Sequence, residues 1–201
     1  QATLLQALFD SPESNNWFHE GKRQRIGAKR ELQTLMSVVL ESAYHKAPII
    51  HNELINRDSP SAQANAGRNK LLLAMLRNEL ENDLGIEKFP PEKSIYRSAL
   101  RATGIHCPQN DGSWKFCDPT STKKAKDKVA AHNSIQATWE KIDEFLDSTA
   151  DEAKSFASLN KELMSPPYGV KAGLLPIFYI AAYVVYQHEL AIYENRLYKP
   201  E

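Results

Sequence analysis

Ser165-Pro166-Pro167-Tyr168-Gly169-Val170-Lys171-Ala172-Gly173, followed by the apolar run 174–186, is the stretch from which the fold is read. Proline fixes φ and has no amide to donate, and glycine supplies the freedom to swing the chain round, so Pro-Pro-Tyr-Gly reads as a stop and a turn. The spacing predicts one helix ending before it, at 159–164. A second starts after it, with Pro176 near the first turn, where a missing N–H costs nothing. Beyond the apolar run, the polar break Glu194-Asn195-Arg196 separates 189–193 from Leu197-Tyr198 and predicts a short hairpin. Helix, sharp turn, helix and hairpin is the order of a winged helix.

The same order is predicted over residues 66–118. Asp58-Ser59-Pro60-Ser61 is a helix start, a polar cap beside a proline. The helix is expected to run to about Leu84, with Leu72, Leu76, Leu80 and Leu84 at i+4 steps, Leu73 and Met75 widening the stripe, and Gly85 as its stop. Pro90-Pro91-Glu92 opens the next helix, which Gly104 closes. Ile95, Tyr96, Ala99 and Leu100 form its inner face, and Lys93, Arg97 and Arg101 recur every four residues along one outer stripe. Ile105-His106-Cys107 and Trp114-Lys115-Phe116-Cys117 then flank Asn110-Asp111-Gly112, a hairpin signal with a loop longer than two residues. The repeat is one of architecture and not of sequence.

A long helix over about 122–146 lies between the two, with Ile135, Trp139, Ile142 and Leu146 on its apolar face and Val129 and Phe145 extending it. Its start carries Lys123, Lys124, Lys126 and Lys128, which oppose the helix macrodipole; either this is a solvated helix start or the charge has a use. Residues 148–154 form an acidic, polar linker. Towards the N-terminus, 2–9 is a short helix candidate, and 11–20 is polar and turn-rich with Trp17-Phe18 as an anchor. The basic residues Lys22, Arg23, Arg25, Lys29 and Arg30 run into a helix with Leu32, Leu35, Met36, Val39, Leu40 and Ala43 on one face, ended by Pro48. That cluster is either a solvated helix start or a phosphate-contacting patch. The expected fold is mainly α with small β-hairpins: two winged-helix-like units joined by a long helix. The expected divisions are an N-terminal helical segment (1–60), the first unit with the connecting helix (61–147), and the second unit (155–201).

Apolar residues make up 42% and charged residues 25% of the 201, the balance of a folded domain with a real core. The formal net charge is zero, so a nucleic-acid surface has to be a local patch. The apolar run 172–186 is shorter than the roughly 20 residues a membrane-spanning helix needs. No signal peptide is visible, and a cytoplasmic setting with no membrane partner is expected. The start at Gln1 and the end at Glu201, just after a strand-like segment, read as those of a piece of a longer polypeptide.

No catalytic constellation stands out. There is no G-x-x-x-x-G-K-[ST], no G-x-S-x-G and no H-E-x-x-H. Glu79, Glu81 and Asp83 sit in surface-like settings, and no carboxylate pair suggests acid–base work. His106, Cys107, Cys117 and His132 lack the paired cysteine spacing of a zinc site. In a hairpin centred near Asp111 the two cysteines are expected to be offset by about one residue, which favours ordinary half-buried thiols over a disulfide or a shared metal. Neither cofactor nor metal is expected. Asn52-Glu53 and Asn56-Arg57 read as local turn and cap bonds, or as a polar docking element.

The two second helices differ as nucleic-acid readers. Lys93, Arg97 and Arg101, with Ser94 and Ser98 beside them, suit phosphates or base edges. The run 174–186 is apolar nearly all round and is expected to be buried, leaving Lys171 and Tyr168 at its turn as contacts. Asn52-Glu53-Leu54-Ile55-Asn56-Arg57, Gly85-Ile86, Pro90-Pro91-Glu92-Lys93-Ser94-Ile95-Tyr96, and Pro166-Pro167-Tyr168-Gly169-Val170-Lys171-Ala172-Gly173-Leu174-Leu175-Pro176 together resemble the region beyond the ATPase core of very large bacterial P-loop proteins of phage-defence islands, such as the BREX-type ATPases. The resemblance covers the chain from about Lys46 onward. It implies a helical, winged-helix-bearing segment of a multidomain ATPase that acts on or senses DNA, although the Walker motifs of such proteins are absent here. The expected function is a non-catalytic module contacting DNA through Lys93, Arg97, Arg101, Lys22, Arg23, Arg25, Lys123, Lys124 and Lys171. The alternative is an interaction scaffold coupling an ATPase to a partner protein, with an exposed apolar patch around 168–186 or Trp17-Phe18.

Overall fold

The computed structural model describes residues 7–57, 60–121, 130–195 and 197–199, with 130–133 described by backbone alone. The chain divides into two compact bodies, Gln1–His45 and Lys46–Glu201. The division therefore falls after His45, and neither residue 60 nor the polar stretch 148–154 separates compact bodies. The reason is a shared core: one apolar cluster draws on residues from 50 to 184.

In the first body, the stretch expected to be a turn-rich loop is a hairpin. Strands β1 (Trp17–His19) and β2 (Lys22–Gln24) pair antiparallel, with Phe18 opposite Arg23 and His19 opposite Lys22. Glu20 and Gly21, both at positive φ, make the two-residue turn that suits the strand twist. The Trp17 indole donates to the Pro12 carbonyl at 2.7 Å, and Phe18 is exposed. Helix α1 (Lys29–Ala43) opens with the Glu31 carboxylate accepting from the Gly27 and Ala28 amides at 2.7 and 3.2 Å. Of its expected inner face only Leu32 is buried; Met36, Val39 and Leu40 are exposed.

The second body begins with α2 (Glu53–Asn56), whose cap residue Asn52 accepts from the Leu54 amide at 3.0 Å. Asn56 donates to the Ile50 carbonyl, so this connector is held by local turn and cap bonds. Ser61 caps α3 (Ala62–Arg77) by accepting from the Ala64 amide at 3.2 Å. The expected continuation to Leu84 does not occur. The helix stops at Asn78, and its buried stripe is Ala64, Gly67, Leu71 and Met75, while Leu76 and Leu80 face solvent. The interface with the next helix explains the choice. A Cβ on Gly67 would lie 3.0 Å from the Pro91 Cβ, so the two helices approach where the first has no side chain.

Helix α4 (Pro91–Tyr96) continues into a π turn over Arg97–Arg101, where the Ala102 amide donates to the Arg97 carbonyl at 3.0 Å. Ile95, Tyr96, Ala99 and Leu100 are fully buried, as the spacing predicts. Strands β3 (His106–Pro108) and β4 (Trp114–Phe116) follow as a second antiparallel hairpin. Helix α5 (Ala130–Asp147) buries Ile135, Trp139, Ile142 and Phe145. The expected basic start of this helix, with Lys123, Lys124, Lys126, Lys128 and Val129, lies outside the described residues, as do Asp58 and Ser59.

Helix α6 (Phe156–Met164) ends in the Ser165–Gly169 turn, where the Pro166–Pro167 peptide is cis and the Gly169 amide donates to the Ser165 carbonyl. Helix α7 (Leu175–Tyr186) then buries Leu175, Ile177, Phe178, Ala181, Ala182 and Val184. It enters the core past Gly173, where an added Cβ would meet the Ile55 carbonyl oxygen at 2.7 Å. Strands β5 (Ile192–Glu194) and β6 (Leu197–Lys199) close the chain as a third hairpin. Among the described residues the architecture is mainly helical, with three separate two-stranded antiparallel sheets. No described helix is long and apolar enough to cross a membrane.

Candidate functional site

The outer stripe of α4 is built around one carboxylate. Asp83, read from sequence as a surface residue, is only 7% exposed. Its Oδ2 lies 3.1 Å from Lys93 Nζ and 3.2 Å from Arg97 Nη2, and its Oδ1 lies 2.7 Å from Arg101 Nη1. Lys93 on α4 and Arg97 and Arg101 in the π turn that continues it all reach this carboxylate, and a strained turn brings the acid to them. Asp83 and Leu84 both adopt left-handed backbone, at φ 52° and 53°, which costs a non-glycine residue about 1–2 kcal/mol each. Two gains hold the turn: Leu84 is fully buried, and Asp83 meets three cations. Burial raises the Asp83 carboxyl, but the hydrogen bonds from Lys93 and Arg97 outweigh it and hold the group below the usual carboxylate range.

The cations are not equivalent. The Lys93 side chain is 12% exposed and also donates to the Ile86 carbonyl at 2.6 Å, so its charge is spent inside the protein. The side chains of Arg97 and Arg101 are 46% and 45% exposed. Each arginine uses one guanidinium nitrogen on Asp83 and lies against an aromatic ring. Arg97 sits 5.6 Å from the Phe89 centroid, and Arg101 sits 5.1 Å from that of Trp114 on β4. Phe89 is 84% exposed. The surface thus runs aromatic, guanidinium, guanidinium, aromatic, with the buried acid holding both arginines from behind.

Beside this row lies a cleft of about 440 Å³ lined by His51, Asn52, Phe89, Lys93, Ser94 and Arg97, among others. The Asn52 amide donates to Ser98 Oγ at 2.9 Å and sits 3.3 Å from Ser94 Oγ, tying together three residues of the lining. Such a cleft presents an apolar face, hydroxyl groups and fixed positive charge. It can hold an anion next to a planar apolar group. Among the described residues no group of three His, Cys, Asp or Glu side chains is placed to hold a metal ion.

The other expected contacts lie elsewhere. Lys22, Arg23 and Arg25 are exposed in the first body. Lys29 is within 3.7 Å of Asp10. Lys171 is exposed at the turn before α7, and Tyr168 packs under the Lys46 ammonium at 5.6 Å. Lys123 and Lys124 lie outside the described residues. Sequence reasoning missed Asp83 and Phe89. The one legible trace of Phe89 was its place immediately before Pro90-Pro91, which carries an aromatic side chain on an extended link. His106 is not a ligand candidate: it is 1% exposed, with Nδ1 2.8 Å from the Tyr96 hydroxyl and Nε2 2.8 Å from the Glu79 carbonyl.

Comparison with protein-family models, with curated proteins and with solved structures returns no match.

Proposed function

We propose that this chain is a non-catalytic module that contacts DNA, and that its contact surface is the row Phe89, Arg97, Arg101 and Trp114. The observation that carries the reading is the pair of half-exposed guanidiniums, each within cation–π distance of an aromatic ring and each anchored to the buried Asp83. Arginines held in this way offer their remaining N–H groups to phosphates at little entropic cost. Phe89 offers an open ring face to an unstacked base, which favours single-stranded DNA. Helix, turn, helix and hairpin over α3, α4 and β3–β4 support a winged-helix-like description, with α4 as the contacting helix. Attachment to a bacterial defence-type ATPase rests on the sequence resemblance alone.

The test compares the wild-type chain with Phe89→Ala and with Arg97→Ala/Arg101→Ala for binding to a labelled single-stranded oligonucleotide. Losing one stacked base is expected to weaken binding about tenfold, and losing both arginines more. Unchanged affinity in both variants, with helicity retained, contradicts the reading.

One observation favours the scaffold alternative. Apolar side chains are exposed on the β5–β6 hairpin (Ile192, Tyr193, Leu197, Tyr198) and on α1 (Met36, Val38, Val39, Leu40); of the two places where a patch was expected, α7 is largely buried and Phe18 is exposed. A chain that binds no DNA, but whose self-association is abolished by Leu197→Ser, follows this second reading.

A further inference from the structure

We propose that Cys107 and Cys117 form a reversible redox pair, a dithiol that closes to an intrachain disulfide across the β3–β4 hairpin. An offset of one residue, as expected, would point the two side chains to opposite faces. The hairpin is centred on Asp111, as expected, but that register sets the cysteines two residues apart and not one. Cys107 pairs with Lys115, and the Cys117 amide donates to the Ile105 carbonyl at 2.8 Å, so Cys117 sits opposite Ile105. The thiols are therefore diagonal neighbours on one face of the hairpin. Both are free thiols, and their Sγ atoms are 2.6 Å apart. Bond formation needs no change in strand pairing.

The surroundings assign different roles to the two sulfurs. Cys107 is half-buried and Cys117 is buried, so an external reagent meets Cys107 first. Gln109 Nε2 lies 3.6 Å from each sulfur. The hydrogen bond from Cys117 brings the Cys107 thiol down to about 7 against the opposing effect of burial, with Gln109 and Lys115 adding to the shift. Cys107 is then the attacking thiolate and Cys117 the resolving thiol.

The oxidant is a low-molecular-weight disulfide such as oxidised glutathione. The Cys107 thiolate attacks one of its sulfurs, forming a mixed disulfide and releasing one glutathione thiolate. Cys117 gives its proton to solvent and attacks Cys107 Sγ, releasing the second glutathione thiolate and leaving the Cys107–Cys117 bond. The protein loses two electrons and two protons, and oxidised glutathione becomes two molecules of glutathione. The pair does not depend on DNA binding.

The experiment incubates the whole chain with excess oxidised glutathione, traps remaining thiols with a maleimide and reads the mass before and after non-reducing trypsin digestion. Lys115 lies between the cysteines, so trypsin separates them into peptides 102–115 and 116–123 unless a disulfide joins them. The expected result is loss of both thiols, a mass lower by two hydrogens, and the two peptides recovered as one linked species that dithiothreitol separates. Cys117→Ser is expected to stop at a single glutathione adduct on Cys107. Two free thiols, two glutathione adducts per chain, or a disulfide only between chains would each overturn the proposal.

Discussion

A backbone carbonyl can only accept a hydrogen bond, so the contact between His106 Nε2 and the Glu79 carbonyl fixes the imidazole proton on Nε2. Nδ1 is then the acceptor for the Tyr96 hydroxyl. Burial favours the neutral ring and lowers the His106 pKa. The associated stability is present above the unfolded value of about 6.5 and is lost as pH falls through the lower folded value. Tyr96→Phe leaves Nδ1 buried without its donor and is expected to cost about 1–3 kcal/mol in urea unfolding at pH 7.5. Asp143 acts with the opposite sign. Burial pushes its carboxyl up to about 6, against the hydrogen bond donated by Tyr186 at 2.9 Å. The folded chain keeps this proton to about pH 6 and the unfolded chain only to about 4, so this group adds stability as pH falls between those values. Asp143→Asn is expected to remove that contribution, read as a flatter dependence of the urea midpoint on pH between 4 and 6.

At the scale of elements, the turn between α3 and α4 and the approach to α7 carry the geometry. Asp83→Ala leaves Lys93 with the Ile86 carbonyl as its remaining hydrogen-bond acceptor within reach in this structure and removes the anchor of both arginines. A loss of about 3 kcal/mol in denaturant unfolding is expected, the scale for breaking a buried pair from one side. Gly173→Ala drives a methyl into the Ile55 carbonyl, and backbone has to shift; a loss of about 1–3 kcal/mol is expected. These elements also show what sequence can and cannot tell. The inner face of α4 was legible because Ile95, Tyr96, Ala99 and Leu100 obey helical spacing and nothing competes. The α3 face was misread because Leu72, Leu76, Leu80 and Leu84 make a regular stripe, whereas the interface selected small residues for close approach at Gly67. The first hairpin was hidden because its strands are three residues each, Trp17-Phe18-His19 and the polar Lys22-Arg23-Gln24, too short to show apolar alternation. Asp83 was invisible because its three partners are 10, 14 and 18 residues away, and only a left-handed turn brings them together.

For the whole molecule, a formal net charge of zero means that nothing long-range draws this chain to DNA. The proposed contact is local, made by two half-exposed arginines and an open aromatic ring. That restricts the salt dependence. Lys93 is largely withdrawn from solvent, so two phosphate contacts are available on this row, and for single strands each contributes about 0.7 to the slope of log affinity against log salt. The most direct measurement is fluorescence anisotropy of a labelled single-stranded oligonucleotide with the wild-type chain and with Arg97→Ala across a salt series. Binding is expected with a slope of about −1.4 for the wild type and about −0.7 for the variant. No binding at low salt, or a slope that Arg97→Ala leaves unchanged, would contradict it.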